Sequence, residues 1–290
     1  MKDRHPAPGP GKAVFSTEQA SALGAVCRGP VVSEFAVSHA FGEKGRFSTR
    51  VRLYAGLRRI DIRTSILNQD KFVRYRVLFP TSIAKGHGVH EIPFGASPNG
   101  DAIEFPAQNW LDYSDGAKGV ALLNRGLPGN NVAGGTMMLS LARSTYLFSY
   151  NFNRASDSDF ELGKELTFDY ALVPHTGDWR QAGVYRDGME FNHPLVVCAE
   201  TPHAGVLPGR WGFLEISRPN VVVSAMKGGP NGTAVRIKLA ARVVSAEEVN
   251  LMEGPGTKLK VAADTLRLDL RPFEVKTIKL ELARHGAPGT

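Results

Sequence analysis

The chain has 290 residues and a mass of 31.4 kDa, enough for one large domain or two modest ones. Hydrophobic residues make up 42% and charged residues 22%, which is typical of a globular protein and excludes global disorder. The formal net charge of +7 raises the question of a nucleic-acid partner.

Membrane insertion and export are not indicated by the sequence. No apolar run approaches the roughly 18–20 residues of a membrane-spanning helix, and the charged N-terminus lacks the apolar segment of a signal peptide. We therefore expect a cytoplasmic protein with no membrane partner. The two cysteines, Cys27 and Cys198, allow at most one disulfide. Because cysteine behaves as a small apolar residue in most intracellular cores, we expect two reduced, mostly buried thiols.

The predicted elements begin after residues 1–24, a stretch rich in Pro, Gly and polar residues that indicates a flexible leader. Short runs of alternating apolar and polar residues follow, separated by turn signals. These runs predict strands at Val31–Val37, Phe47–Tyr54, Arg59–Asn68, Val73–Phe79, Gly119–Leu123, Met137–Ala142, Leu166–Val173, Trp211–Ile216, Val221–Met226, Ala234–Ala240, Val249–Met252, Leu266–Leu270 and Val275–Leu282. Asp178–Tyr185 predicts a short helix with Asp178 near its start.

This balance of elements predicts an all-β fold in which antiparallel sheets pack face to face. A stretch with two prolines and two glycines, Thr201–Arg210, separates two regions whose residue patterns differ. We place a domain boundary there. The predicted domains are a larger one over 25–205 and a smaller one over 206–282. A loose tail follows at 283–290.

The positive charge is concentrated in residues 41–80, where ten basic and three acidic residues leave the rest of the chain neutral overall. Within this block Ile60 and Ile62 should point to one side of a strand, and Arg59, Asp61 and Arg63 to the other. We interpret the charges as one solvated face of a sheet. No RNA-recognition or zinc-finger signature accompanies them, so we expect no nucleic-acid partner.

Self-contained active-site patterns are not found in the sequence. His87 and His90 come nearest to a zinc motif, but in a strand side chains three residues apart point to opposite faces, so the two rings should diverge. Ser97 lacks the second glycine of a nucleophile elbow, and no phosphate-binding glycine loop is present. Carboxylates that could form an acid/base pair are Glu91, Asp112, Asp115, Asp157, Asp159, Glu161 and Glu165.

Two regions, 91–112 and 173–195, combine aromatic, amide and carboxylate groups in loops. Sugar binding uses such groups, because an aromatic face stacks on pyranose C–H bonds while amides and carboxylates bind hydroxyls. The alternative is that Trp110 and Trp179 fill the core and that the polar residues cap turns. The sequence leaves both interpretations open.

A set of short motifs, most of them in the same regions, carries a family resemblance. In order they are Arg58-Arg59-Ile60-Asp61-Ile62, Val77-Leu78-Phe79-Pro80, Glu91-Ile92-Pro93-Phe94-Gly95, Gln108-Asn109-Trp110, Gly119-Val120-Ala121-Leu122-Leu123-Asn124, Leu139-Ser140-Leu141-Ala142-Arg143-Ser144, Tyr170-Ala171-Leu172-Val173-Pro174-His175, Gly177-Asp178-Trp179, Phe191-Asn192-His193-Pro194-Leu195, Val223-Ser224-Ala225-Met226-Lys227 and Leu270-Arg271-Pro272-Phe273-Glu274-Val275-Lys276-Thr277. Together they resemble the C-terminal β-rich half of glycoside hydrolase family 38 α-mannosidases, over about residues 25–282.

The resemblance implies a large β-supersandwich, similar to galactose-mutarotase-like domains, followed by a smaller β-sandwich. It also implies that the family's zinc ligands, aspartate nucleophile and acid/base residue lie in an N-terminal α/β barrel. We expect none of these elements within the 290 residues, so no catalytic residue is carried over. We expect no cofactor in this chain and zinc in the catalytic barrel.

The function implied by the resemblance is that of a non-catalytic C-terminal module of a mannosidase-like hydrolase. Its expected partners are mannosides and the N-terminal catalytic barrel of the same or a companion chain. The residues expected to contact sugar are Glu91, Gln108, Trp110, His175 and Asp178. Two alternatives remain open: a free-standing carbohydrate-binding or mutarotase-like protein, and a polyanion-binding module that uses the basic face of 41–80.

Overall fold

The structure is a computed structural model, and it describes most of the chain. The described residues are 13–18, 22–41, 45–69, 73–100, 103–144, 147–148, 155–156, 163–202, 204–205, 208–226, 228–229, 232–233, 238–239, 243–262 and 265–283. Residues 1–12 of the predicted leader, and the candidate carboxylates Asp157, Asp159 and Glu161, lie outside them. The chain divides into two compact units, Met1–Pro194 and Leu195–Thr290.

The first unit consists of antiparallel strands and two short helices, with a single turn of 3-10 helix at Ser16–Glu18. Its elements are β1 (Ala22–Arg28), β2 (Val32–Phe41), β3 (Gly45–Tyr54), β4 (Ile60–Leu67), β5 (Val73–Pro80), β6 (His87–Ile92), β7 (Gly95–Asn99), β8 (Phe105–Pro106), β9 (Trp110–Ser114), β10 (Lys118–Asn124), β11 (Gly129–Ala133), β12 (Thr136–Ser144), β13 (Leu147–Phe148), β14 (Ala155–Ser156), β15 (Glu165–Thr176), α1 (Trp179–Ala182) and α2 (Val184–Asn192). This composition confirms the predicted all-β class.

Two sheets form the body of this unit. The nine-stranded sheet has the order β1-β2-β3-β4-β15-β10-β9-β6-β7, and the four-stranded sheet has the order β5-β12-β11-β8. All of the neighbouring strands are antiparallel. The long strand β15 lies in the middle of the larger sheet, although it is the last strand of the unit in sequence.

The main core lies between the two sheets, as in a β-sandwich. Alternate residues of the larger sheet, such as Ile62, Leu122 and Tyr170, pack with Met137 and Leu139 of the smaller sheet. Because side chains alternate along a strand, the neighbours of these residues must face the other side of the larger sheet. That second side is where the two helices pack.

The helix-covered side of the sheet has its own apolar cluster. Its buried members are Trp110, Ala121, Leu123, Ala171, Val173, Trp179, Val184 and Phe191. Helices of four and nine residues are too short to be stable alone in water, so this burial is what stabilises them.

The predicted helix at Asp178–Tyr185 is found as two helices. Asp178 is the N-cap of α1, where its carboxylate accepts hydrogen bonds from the backbone N–H groups of Arg180 and Gln181, and Gln181 completes a capping box. Gly183 ends α1 and precedes α2 with φ of 73°, a left-handed conformation that favours glycine. The sequence missed α2 beyond Tyr185.

The second unit is built from short strands. They are β16 (Leu214–Glu215), β17 (Gly228–Gly229), β18 (Gly232–Thr233), β19 (Lys238–Leu239), β20 (Val243–Val249), β21 (Thr257–Lys258), β22 (Val261–Ala262), β23 (Thr265–Leu266) and β24 (Thr277–Leu282). They form a four-stranded and a five-stranded sheet around a small core that includes Ala246, Leu266, Ile278 and Leu280.

Several sequence predictions were wrong. Val221–Met226 is not a strand, and β20 ends at Val249, so Asn250–Met252 is a turn closed by the side chain of Asn250. Most of the predicted strand at 234–240 lies outside the described residues. Both cysteines are free but exposed, because Cys27 lies on an edge strand and Cys198 in an irregular segment. Among the described residues, no helix is long and apolar enough to span a bilayer.

The core between the two sheets can be tested with Leu122→Ala. Leu122 is 1% exposed, so we expect the substitution to lower the free energy of unfolding by roughly 2–5 kcal/mol. Leu78→Ala is the control, because Leu78 is exposed and should change the free energy by less than about 1 kcal/mol. Urea denaturation followed by fluorescence measures both. Equal effects of the two substitutions would contradict this packing.

Candidate functional site

A buried acid and a buried histidine are paired on the helix-covered side of the larger sheet. Nε2 of His175 lies 2.7 Å from Oδ1 of Asp112, and neither side chain is exposed to solvent. The hydroxyl of Ser114 donates to the other carboxylate oxygen of Asp112 at 2.9 Å. The serine therefore bonds to the acid and not to the imidazole, so this is not the arrangement of a Ser-His-Asp nucleophile.

Strand register brings these residues together. In β10, Ala121 pairs with Asp112 of β9 on one side, and Gly119 pairs with His175 of β15 on the other. A Cβ atom on Gly119 would lie 2.4 Å from Cε1 of His175, which is closer than real Cβ contacts. Glycine at this position therefore gives the imidazole room to reach across β10 to Asp112.

The environment of His175 favours its charged form. Burial of the ring opposes protonation, but the hydrogen bond and negative charge of Asp112 outweigh this effect, and the pKa of His175 is raised above its usual value. The pair is a buried ionic contact that joins β9 to β15.

A second carboxylate, which is half-buried, lies next to the start of β9. Oε2 of Glu91 accepts a hydrogen bond of 2.8 Å from the backbone N–H of Asn109, and the carbonyl of Glu91 accepts one of 3.1 Å from the N–H of Gln108. Burial raises the pKa of Glu91, and the bonds from Asn109 counteract this only in part. Glu91 thus fastens the loop that carries Gln108 to the end of β6.

The structure brings four of the five expected sugar-contacting residues into internal contacts. Trp110 is 1% exposed and packs on Trp179 with 5.1 Å between ring centroids. Glu91 holds the loop backbone, His175 pairs with Asp112, and Asp178 caps α1. Only Gln108 is exposed. These contacts agree with the alternative interpretation, in which the tryptophans fill the core and the polar residues cap turns.

The basic face predicted in 41–80 is present, and ion pairs hold it together. Ile62 is buried and Arg63 exposed, which confirms the predicted alternation. Three carboxylates on this face bind arginine. The pairs are Glu34 with Arg50 and Arg52, Asp61 with Arg59, and Asp169 with Arg63 and Arg125. The hydrogen bond from Arg52 is the main cause that lowers the pKa of Glu34. The hydrogen bond from Arg63 is likewise the main cause that lowers the pKa of Asp169.

Arginines also fasten the helices to this sheet. Arg58 donates to the carbonyl of Ala182 at 2.6 Å and to the carboxylate of Asp187 at 2.7 Å. The guanidinium of Arg125 lies 4.6 Å from the ring centre of Phe191 and donates to the carbonyl of the same residue. The guanidinium of Arg59 also lies 5.3 Å from the centre of the Phe191 ring, which connects two motifs that are distant in sequence.

A search for metal ligands can be made among the described residues. Within the described residues, no group of three or more His, Cys, Asp and Glu side chains could hold a metal ion. His87 is exposed and His90 is buried on the same strand, so the two rings diverge as predicted. Burial lowers the pKa of His90.

Sequence reasoning placed Phe94 in the aromatic region 91–112 but not among the expected sugar contacts. Phe94 lies at the tip of the hairpin between β6 and β7, is 67% exposed, and has φ of 56°. Glycine or asparagine usually occupies such a left-handed turn position. The sequence signal was Pro93-Phe94-Gly95, where a proline turn places an aromatic residue at its second central position.

Two family models match separate parts of this chain. The family model for the "Glycosyl hydrolases family 38 C-terminal domain" matches residues 10–147, and that for the "Glycosyl hydrolases family 38 C-terminal beta sandwich domain" matches residues 221–278. Together they span more than half of the chain. The chain belongs to the C-terminal region of glycoside hydrolase family 38.

Individual relatives agree with this family. Alpha-mannosidase 2C1 of Mus musculus is 27% identical over 266 residues, which cover 82% of this chain and 24% of the relative. Alpha-mannosidase of Saccharomyces cerevisiae is 28% identical over 198 residues, covering 63% and 17% respectively. A solved α-mannosidase from Enterococcus faecalis V583 has a TM-score of 0.72 at 20% identity, over 91% of this chain and 35% of that one, which supports the fold.

The chain spans about a quarter of the length of the mouse and human α-mannosidases it matches. The resemblance seen in the sequence motifs is therefore confirmed for a C-terminal portion of these proteins. The structure explains why several of the family motifs occur together, since residues from 58–62, 108–110, 119–124, 170–179 and 191–192 meet on the helix-covered side of the sheet.

The Asp112–His175 pair should make the stability of the protein depend on pH. Because the pKa of folded His175 is raised above its unfolded value of about 6.5, the pair stabilises fully below that pH and loses its effect as pH rises through the folded pKa. We expect His175→Gln to lower the free energy of unfolding by roughly 3–5 kcal/mol near pH 5.5, and by less near pH 8.5. Urea titrations at both pH values measure this.

His87→Gln is the control for this experiment, because His87 is exposed on β6. It should change stability little at either pH. A His175→Gln effect that does not vary with pH, or that grows at alkaline pH, would contradict a protonated His175.

Gly119→Ala tests the close approach of His175 to the backbone of β10. The added Cβ would overlap the ring, so we expect the free energy of unfolding to fall by roughly 1–3 kcal/mol. Gly24→Ala is the matched control, since a Cβ on this strand residue meets nothing within 4 Å. Denaturant unfolding compares the two. Similar small changes would show that His175 does not need the space.

Proposed function

We propose that this chain works as the non-catalytic C-terminal part of an α-mannosidase-like hydrolase, bracing a catalytic barrel and contributing to the edge of its sugar pocket. The single observation that supports this most is the match of two family 38 C-terminal models in their order along the chain. The relatives named α-mannosidase are about four times longer than the matched region. The remainder of such a protein has room for a catalytic domain.

The contacts of the candidate residues suit a bracing role. Buried pairs and caps fix the helices and loops on the sheet, so that exposed groups beside them are presented on a rigid base. Gln108 is the one expected contact residue that stays exposed. In this proposal Gln108 contacts the outer part of a mannoside directly, and Glu91, Trp110, His175 and Asp178 hold the surrounding structure in place.

Zinc in this proposal is held by the catalytic barrel. The described residues of this chain do not fit a zinc site, because they provide no cluster of three ligands and because His175 is already bonded to Asp112. We therefore assign no metal-dependent step to this chain. Its residues position loops and keep the sheet rigid, while the barrel carries out retaining displacement with its own carboxylates.

The polyanion-binding alternative receives less support from the ion pairs. The arginines of the basic face are bonded to Glu34, Asp61 and Asp169, so part of their charge is already neutralised. A phosphate would compete with these fixed carboxylates. We therefore interpret the positive charge mainly as a device that organises the sheet and its helices.

The proposal is tested with an aryl α-mannoside as substrate. We expect the chain alone to release no aryl group above background, with or without added zinc. Mixed with the separately expressed barrel portion of a family 38 α-mannosidase, it should form a complex on size-exclusion chromatography and raise mannoside hydrolysis. Zinc-dependent hydrolysis by the chain alone would contradict the non-catalytic role, and absence of a complex would contradict bracing.

A further inference from the structure

Phe94 is the most exposed aromatic side chain of Phe, Tyr and Trp type among the described residues. Stacking on a sugar needs an open ring face, which neither Trp110 nor Trp179 provides, because the structure buries both. The hairpin tip presents the Phe94 ring to solvent at the end of β6, beside the loop that Glu91 holds.

The turn keeps Phe94 in an unfavourable backbone conformation. Ile92 pairs with Gly95, so Pro93 and Phe94 are the two central residues of a tight turn, and φ of Phe94 is 56°. A residue with a Cβ atom is strained there, and glycine would fit without strain. Strain of this kind is concentrated at ligand-binding and catalytic sites. An aromatic ring at this position therefore points to a binding role more than to folding.

A polar side chain suited to sugar hydroxyls lies on the loop that Glu91 holds. Gln108 is exposed, and its backbone is hydrogen-bonded to the carbonyl of Glu91, three residues before Phe94. Its side-chain amide offers two donors and an acceptor.

From this combination we propose that Phe94 and Gln108 form a sugar subsite, in which the Phe94 ring stacks on the apolar face of a pyranose and Gln108 binds its hydroxyls. The ligand class is a neutral mannoside of one to three units. This inference rests on the proposed function for the choice of sugar. It adds a residue that contacts sugar and can be tested on this chain without the barrel.

The key variant is Phe94→Gly, which removes the ring and also relieves the backbone strain. We expect it to be at least as stable as the wild type, with Tm higher by roughly 2–4 °C, so that loss of binding cannot come from unfolding. Phe273→Gly is the matched control, because Phe273 is 60% exposed with φ of 60° in the second unit. It should gain stability in the same way.

Binding is measured by NMR titration of the whole chain with methyl α-mannopyranoside and with mannotriose. We expect wild-type and Phe273→Gly to bind with dissociation constants on the order of millimolar. Phe94→Gly should bind roughly tenfold more weakly, while Phe94→Tyr, which keeps the ring, should bind like the wild type. Gln108→Ala should also weaken binding.

The inference is overturned if the wild type binds neither sugar, or if Phe94→Gly binds as well as Phe273→Gly. Either result would leave the bracing role intact, because that role is measured by complex formation with a barrel. Conversely, the subsite would still be supported if sugar binding depends on Phe94 but no complex with a barrel forms. The two proposals therefore fail independently.

Discussion

The contact between Trp110 and Trp179 is the interaction on which the rest of the candidate region depends. Helices α1 and α2 are too short to fold by themselves, and the packing of Trp179 against Trp110 joins α1 to the sheet within a shared apolar cluster. Gly188 on α2 allows the close approach, because a Cβ there would lie 2.8 Å from the Trp110 ring. Once this contact forms, the loops at both ends of β9 have fixed positions.

Charged residues add to the apolar contact in holding the helices on the sheet. The arginines at residues 58 and 125 bind backbone carbonyls and the Asp187 carboxylate of the helices, and the Phe191 ring lies beside a guanidinium. Such contacts fix the orientation of the helices relative to the sheet, because a guanidinium is planar and its donors are rigidly arranged. The high positive charge of this region is therefore connected to its fold, and the sequence alone had left open whether it served a polyanion.

The sequence was sufficient where a local pattern decides the structure. Alternation predicted strands β3, β4, β5 and β15, and Asp178 predicted the start of a helix. It failed where long-range pairing decides: Asp112 and His175 are 63 residues apart, and only the register of β9, β10 and β15 brings them together. It also failed for Val221–Met226, where alternation is present without a partner strand. The cysteine prediction failed because residue type says little about which strand is at an edge.

The roles of Trp110 and Phe94 show how the same residue class divides between folding and binding. A tryptophan in the middle of a sheet gains most by burial, and its ring then has no free face for a ligand. A phenylalanine at a hairpin tip gains nothing from burial and is strained by its backbone, so folding alone gives no reason to keep it there. In a family portion whose cores are filled by its own side chains, aromatic groups left at loop tips are the ones that remain free to meet a sugar.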